Sequence, residues 1–296
     1  MKECIEKLES TGDYRIIKRF IPVEHYCSPT PSDIKIGIYL DTETTGINPN
    51  KEEIIELAMV PFEFDSSGKI YRILPEYNAF QDPLRPIPEM ITQITGITNE
   101  MVSGQKIDLD KVTGMLEKAV LVIAHNAKFD RQFVEKLSNS FKDISWACSI
   151  SDINWNEEGI GGVKLDYLAY MYGFFYDAHR ATIDCQAGIE ILSRKLPKSG
   201  ELVLKRLLDN ARHTDVRIWA EGAPFDKKDD LKERGYFWSP GQDGKPKAWY
   251  CDVSEEKFDD EYSYLKDEIY KREIDNLKIE RITAKQRYSN RVCVIK

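Results

Sequence analysis

Apolar and polar positions divide the chain into strand-like and helix-like stretches. Between residues 35 and 74 the pattern is that of strands. Lys35–Leu40, Glu53–Val60 and Lys69–Leu74 read as a hairpin or meander, with Asp65-Ser-Ser-Gly68 as the turn before the third. Ala119–Ala124 is an unbroken apolar run, the mark of a strand covered on both faces. Helical spacing appears at Asp108–Lys118, with Leu109, Val112 and Leu116 on one face, and again at Asp130–Leu137. It recurs at Lys164–Tyr172, ended by Gly173, and at Asp184–Leu196, closed by Pro197. Cys148–Ile153 reads as a short strand or loop, and residues 82–105 as loops and short helical turns. Ahead of these, Cys4–Glu9 predicts a short helix and Tyr14–Phe20 a strand. The Pro-rich stretch Pro22–Pro31 then breaks regular structure.

The pattern changes after residue 200. Residues 201–214 read as a helical connection. Val216–Ala220 predicts a strand, and Asp226 an N-cap for a helix over Lys227–Arg234. Tyr236–Trp238 and Lys247–Val253 read as a hairpin around Ser239–Gly244. A charged helix over roughly 255–274 and a final strand over Ile279–Tyr288 complete a small α+β module. In it Trp219, Tyr236, Phe237, Trp238, Trp249 and Tyr250 interleave with Lys227, Lys228, Arg234, Lys245 and Lys247. Such a mixture can track single-stranded nucleic acid. The favoured reading makes the aromatics the core of a small domain that has few other apolar residues.

Composition narrows the class. The chain has 296 residues, 42% hydrophobic and 31% charged, room for one large and one small domain. No stretch is long and apolar enough to span a membrane, and the N-terminus lacks a signal-peptide core, so a cytoplasmic location is the expectation. Six scattered cysteines without a Cys-x-x-Cys pair argue against a zinc site or disulfide scaffold. Residues 201–296 carry 20 of the 42 basic and 20 of the 50 acidic side chains, so the net charge of −8 falls entirely on residues 1–200. So acidic a domain is a poor general binder of nucleic acid.

The candidate chemistry lies at three places. The run Ile38-Tyr-Leu-Asp-Thr-Glu-Thr-Thr-Gly46 carries two acids two residues apart, which in a strand share a face. Asp41 and Glu43 side by side repel, and a divalent metal is the cheapest compensation. The apolar strand at 119–124 runs into His125-Asn-Ala-Lys-Phe-Asp130, a strand end followed by a helix start. His179-Arg-Ala-Thr-Ile-Asp184 leads into the last long helix. At a spacing of five, His179 belongs to the approach and Asp184 to the helix start. Taken alone, each has a plain structural reading as turn or cap.

Their combination resembles the DEDDh, or DnaQ-like, superfamily of 3′–5′ exonucleases, and among them the epsilon proofreading subunit of bacterial DNA polymerase III and its stand-alone relatives. Ile94-Thr-Gly-Ile-Thr98 and Lys164-Leu-Asp-Tyr-Leu168 support the match, which covers roughly residues 35–196. The resemblance implies a ribonuclease-H-like α/β exonuclease domain with a mixed sheet flanked by helices over 35–200. A 1–34 arm precedes it, and a 201–214 linker and a 215–296 module follow. It implies that Asp41, Glu43, Asp130 and Asp184 hold two divalent cations, Mg²⁺ or Mn²⁺, and that His179 is the general base. Thr42, Thr44, Thr45 and Asn126 would lie near the terminal nucleotide, although ordinary turn chemistry explains each as well. His125 and Asp166 stay outside this site. The implied partner is a nucleic-acid 3′ end, single-stranded or frayed. DNA is favoured, with an exoribonuclease, a polymerase-associated editing subunit and a non-catalytic adaptor as alternatives. A polymerase or other repair protein is the implied protein partner, and no membrane.

Overall fold

A computed structural model describes residues 2–28, 33–241 and 244–289. Part of the Pro22–Pro31 stretch, part of the Ser239–Gly244 turn and Cys293 lie outside the described residues. The chain forms two compact units, Met1–Ala211 and Arg212–Lys296.

The strands of the first unit are β1 (Lys18–Arg19), β2 (Lys35–Thr44), β3 (Ile54–Phe64), β4 (Ile70–Ile73), β5 (Tyr77–Phe80), β6 (Leu121–Ala124), β7 (Ser145–Cys148) and β8 (Phe174–Phe175). Its helices are α1 (Lys2–Glu9), α2 (Glu89–Thr95), α3 (Asn99–Val102), α4 (Leu109–Leu116), α5 (Ala127–Leu137), α6 (Ser140–Asp143), α7 (Leu165–Met171), α8 (Ala181–Leu192) and α9 (Val203–Arg212). The main sheet runs β4-β3-β2-β6-β7, and β5 also pairs with β3. Pairing is antiparallel among β2, β3, β4 and β5, and parallel from β2 to β6 and from β6 to β7. This is the mixed sheet flanked by helices that the resemblance implied, with the 119–124 run added in parallel to the first strand.

One sheet face carries Tyr39, Ala58, Val60 and Phe62 into the main core with Cys185 and Ile189 of α8. On the other side Ile55 packs with Ile87, Ile97 and Val102, which brings α2 and α3 against the sheet. A fully buried acid is exceptional, and β3 holds one, Glu56.

Several sequence expectations need correction. The first strand runs on past Leu40 to Thr44, because the β3 ladder continues that far, so Asp41 and Glu43 lie within β2. The Tyr14–Phe20 strand shrinks to two residues, since it finds only the two-residue β8 as partner. Residues 201–214 are helical over Val203–Arg212, as the sequence suggested, but the helix also packs. Val203, Leu204, Leu207, Leu208 and Ala211 of α9 are buried in the first unit's core. Helices α5 and α8 begin at Ala127 and Ala181, one turn earlier than their first acids suggested, and α8 ends at Leu192. Strand β5 was not foreseen.

The second unit is a four-stranded antiparallel sheet, β10 (Phe237–Pro240), β11 (Lys247–Ser254), β9 (Asp215–Ala220) and β12 (Lys278–Ile282) in that spatial order. Helices α10 (Lys228–Glu233) and α11 (Phe258–Tyr264) supply Leu231 and lead into Leu265 and Ile269, which pack on Val216 and Ile218. Asp226 makes no cap; it sits within a 3₁₀ turn ahead of α10. The expected 255–274 helix is broken into 3₁₀, α and π pieces. The last strand stops at Ile282, where a turn begins. The aromatics divide: Trp219 and Tyr236 are buried, whereas Phe237 and Trp238 on the edge strand are 65% and 48% exposed.

Candidate active site

Strand β2 delivers two acids from one face. Register places Glu43 opposite Glu56 and Asp41 opposite Ala58 on β3. Helix α8 crosses these strands and brings Asp184 in from its first turn. As a result Asp41, Glu43 and Asp184 each offer an oxygen, and these oxygens lie within 4.8 Å of one another. All three residues are half-buried.

Asp130 completes the set from behind. It is 2% exposed in the first turn of α5, and its Oδ1 accepts the Thr42 N–H at 3.0 Å and the Thr42 hydroxyl at 2.8 Å. Thr42 thus ties α5 to the strand between the two acids. Asn126 stands just before α5, exposed and left-handed at φ 73°, a conformation that Asn tolerates better than most residues.

Burial and crowding push the carboxyls up. Burial leads for every one of them. Asp41 is further raised by Asp130, Asp184, Glu43 and Glu56, and lies well above the usual carboxylate range. Glu43 is pushed up to about 8 by burial, then by Asp184, Glu56 and Asp130. Asp130 is pushed up to about 7 by burial, against the pull of the Thr42 bonds. Asp184 is also raised. A set of hard oxygens that hold protons unless a cation compensates them is the donor chemistry that Mg²⁺ or Mn²⁺ takes. The residues present fit such ions.

His179 lies exposed on the approach to α8, at φ 67°. Its charge and its backbone N–H both act on Asp184, so it stands at the mouth of the acid cluster. Thr44 and Thr45 serve the loop that follows. The Thr44 hydroxyl donates to the Gly46 carbonyl at 2.7 Å, and that of Thr45 to Glu52 Oε2 at 2.7 Å. His125 shares the Ser149 hydroxyl with Tyr39, at 2.8 and 3.0 Å, and burial lowers its imidazole to about 4.

Three neighbours escaped the sequence reading. The Tyr176 hydroxyl donates to Asp184 Oδ1 at 2.8 Å, and the Arg180 N–H to Oδ2 at 3.1 Å. Glu56 accepts from Asn78 Nδ2 at 2.9 Å and lies 3.9 Å from the Arg180 guanidinium. Glu56 did carry a signal, as the one acid within an otherwise apolar run, Ile54 to Phe62. Tyr176 carried none.

A mixed sheet flanked by helices, with Asp41, Glu43 and Asp184 brought together where α8 meets β2 and Asp130 bonded to Thr42 between the two strand acids, defines a ribonuclease-H-like α/β domain with a clustered set of carboxyls. The exonuclease family model matches residues 38–192, and the chain belongs to that family. Among curated relatives, PolC-type DNA polymerase III of Thermotoga maritima is 35% identical over 195 residues, 64% of this chain and 14% of the relative. The PolC-type enzyme of Caldanaerobacter subterraneus is 28% identical over 174 residues, 57% of this chain and 12% of the relative. The chain thus spans a small part of the relatives it matches. Among solved structures, an E. coli exonuclease I–ssDNA complex covers 74% of this chain and 63% of its own, with 15% identity and a TM-score of 0.49. Exonuclease X with 5′-overhanging duplex DNA covers 59% and 99%, with 24% identity and a TM-score of 0.42. Among the described residues no helix is long and apolar enough to cross a membrane.

Proposed function

We propose that this chain is a 3′–5′ exonuclease that hydrolyses the terminal phosphodiester of a nucleic acid and releases nucleoside 5′-monophosphates. The observation that carries this reading is the convergence of Asp41, Glu43 and Asp184 within 4.8 Å, with Asp130 buried behind them. Asp41, Glu43, Asp130 and Asp184 would hold two divalent cations, Mg²⁺ or Mn²⁺. When bound, such ions acidify water and offset charge on the phosphate oxygens.

The protein's own groups do the rest. His179, exposed on the loop beside the cluster, takes the proton from the attacking water. Imidazole suits this role near neutral pH. The water oxygen bonds to phosphorus as the bond to the 3′ oxygen of the penultimate nucleotide breaks, and that oxygen takes a proton from solvent to become the new 3′-hydroxyl. Asn126 lies open for contact with the terminal nucleotide. The hydroxyls of Thr42, Thr44 and Thr45 each donate within the protein, so a contact with the terminal nucleotide would use their remaining lone pairs or a backbone group. Names of the PolC-type relatives support DNA as substrate and a polymerase as partner. A cytoplasmic location accords with both.

The test uses 5′-labelled DNA and RNA oligonucleotides of matched sequence, with Mg²⁺, Mn²⁺ or EDTA. A ladder shortening from the 3′ end, absent in EDTA and faster on DNA, is the expected result. Faster loss of RNA would make the chain an exoribonuclease. Folded protein inert on both in every metal would remove the activity.

A further inference from the structure

The segment between α7 and α8 carries Tyr176, His179 and Arg180, and it is held from outside the family region. Lys18 and Arg19 of the N-terminal arm pair in parallel with Phe174 and Phe175, the two residues just before it. The Lys18 N–H donates to the Gly173 carbonyl at 3.0 Å, and the Phe20 N–H to that of Phe175 at 2.8 Å. The Phe20 ring lies 5.3 Å from Phe174, and the Phe174 ring 6.5 Å from Tyr176. Arg15 donates to the carbonyls of Tyr170 and Met171, 2.9 and 2.7 Å away, and so fixes the end of α7. Arg19 pairs with Asp177 at 2.8 Å.

We propose that Tyr176 is a positioning residue for Asp184, and that the N-terminal arm is the strut that keeps Tyr176 in place. The proposal rests on the reading of Asp184 as a metal-holding acid. An acid on the first turn of a helix has rotamer freedom on its exposed side. A hydroxyl bond to Oδ1 and a backbone N–H bond to Oδ2 fix the carboxylate plane, so that it meets Asp41 and Glu43 with its remaining lone pairs. Phe20, Phe174 and Tyr176 share the main core with the strands beneath the site, so the arm's packing reaches Asp184 through one hydrogen bond. Residues 15–20 thereby belong to the catalytic architecture although the family model begins at residue 38.

The test is Mn²⁺ binding to the full chain, followed by electron paramagnetic resonance of free Mn²⁺, in wild type, Asp184→Ala, Tyr176→Phe, Phe20→Ala and the Tyr176→Phe/Phe20→Ala double variant. Melting in EDTA is measured alongside. Tyr176→Phe keeps the ring and loses only the hydroxyl. It should weaken Mn²⁺ binding about ten- to a hundredfold, the usual effect of removing an outer partner of a metal ligand, with melting in EDTA unchanged. Phe20→Ala should weaken binding in the same direction, and the double variant no more than Tyr176→Phe alone, because the arm acts through that hydroxyl. Arg15→Ala replaces Phe20→Ala if the latter does not fold. Wild-type binding by Tyr176→Phe, with Asp184→Ala weakened, would overturn the positioning role alone. Losses that multiply in the double variant would overturn the strut. Undiminished binding by Asp184→Ala would remove the metal reading, and this proposal with it.

Discussion

Gly188 of α8 lies against the ring of Tyr39 on β2 so closely that a Cβ on the glycine would stand 2.2 Å from Tyr39 Cζ. Tyr39 shares its strand face with Asp41, and Gly188 lies one helical turn beyond Asp184. The missing side chain therefore sets how near the helix acid comes to the strand acids.

Gly188→Ala should force the helix away from the strand. Overpacking of this kind costs about 1–3 kcal/mol, and a displacement of about 1 Å at a reacting centre can cost roughly a hundredfold in rate. Thermal melting and cleavage assays would read the two effects. Adding Tyr39→Leu should recover part of the stability. A Gly188→Ala protein with wild-type melting and rate would show that the close approach has no bearing on the site.

Asp41→Ala and Asp184→Ala should each abolish cleavage while circular dichroism stays native. The several kcal/mol that a metal centre supplies correspond to a loss of about a thousandfold or more. Retained activity in either variant would remove that residue from the centre. Saturating EDTA should reproduce the loss in the wild type, with Mn²⁺ restoring it.

Much of this was legible in the sequence, and for a physical reason. Strand and helix periods are local, so the run before Asp41 and the apolar stretch before Asn126 announce themselves. What eluded the sequence depends on partners. Only the β3 ladder tells that the first strand runs on past Leu40 to Thr44. Helix α9 reads as a helical connection until its Leu face is seen in the core. Asp226 has the chemistry of a cap, but the chain forms a 3₁₀ turn there and starts α10 two residues later. Tyr176 is one of 15 tyrosines with nothing local to mark it; its hydroxyl acquires meaning only beside Asp184.

His179→Ala should slow cleavage by about a hundred- to ten-thousandfold, the range of a lost general base, while Mn²⁺ affinity stays close to that of wild type. Pre-steady-state cleavage and Mn²⁺ titration separate the two. Equal loss of both would make His179 a ligand.

The carboxyl cluster makes metal-free stability depend on pH. Glu43 has an ordinary value of 4.5 and is raised to about 8 by burial and by its acidic neighbours. Between those values the unfolded chain releases the proton and the native chain keeps it. The native state then binds more protons, so stability from this group is complete below about 4.5 and is lost as pH rises through about 8. Asp130, raised to about 7, adds in the same sense. Melting temperature in EDTA should therefore contain a component that falls between pH 5 and pH 8. Glu43→Gln keeps the shape and removes the titration, so its curve should be flatter, and the variant should gain on wild type as pH rises. Bound Mn²⁺ requires the ionised carboxylates, so the rise in melting temperature that it produces should grow across the same range. Scanning fluorimetry at several pH values, with EDTA or Mn²⁺, reads all three curves. A Glu43→Gln curve parallel to wild type would show that Glu43 ionises freely in the folded protein and is not confined with Asp41 and Asp184.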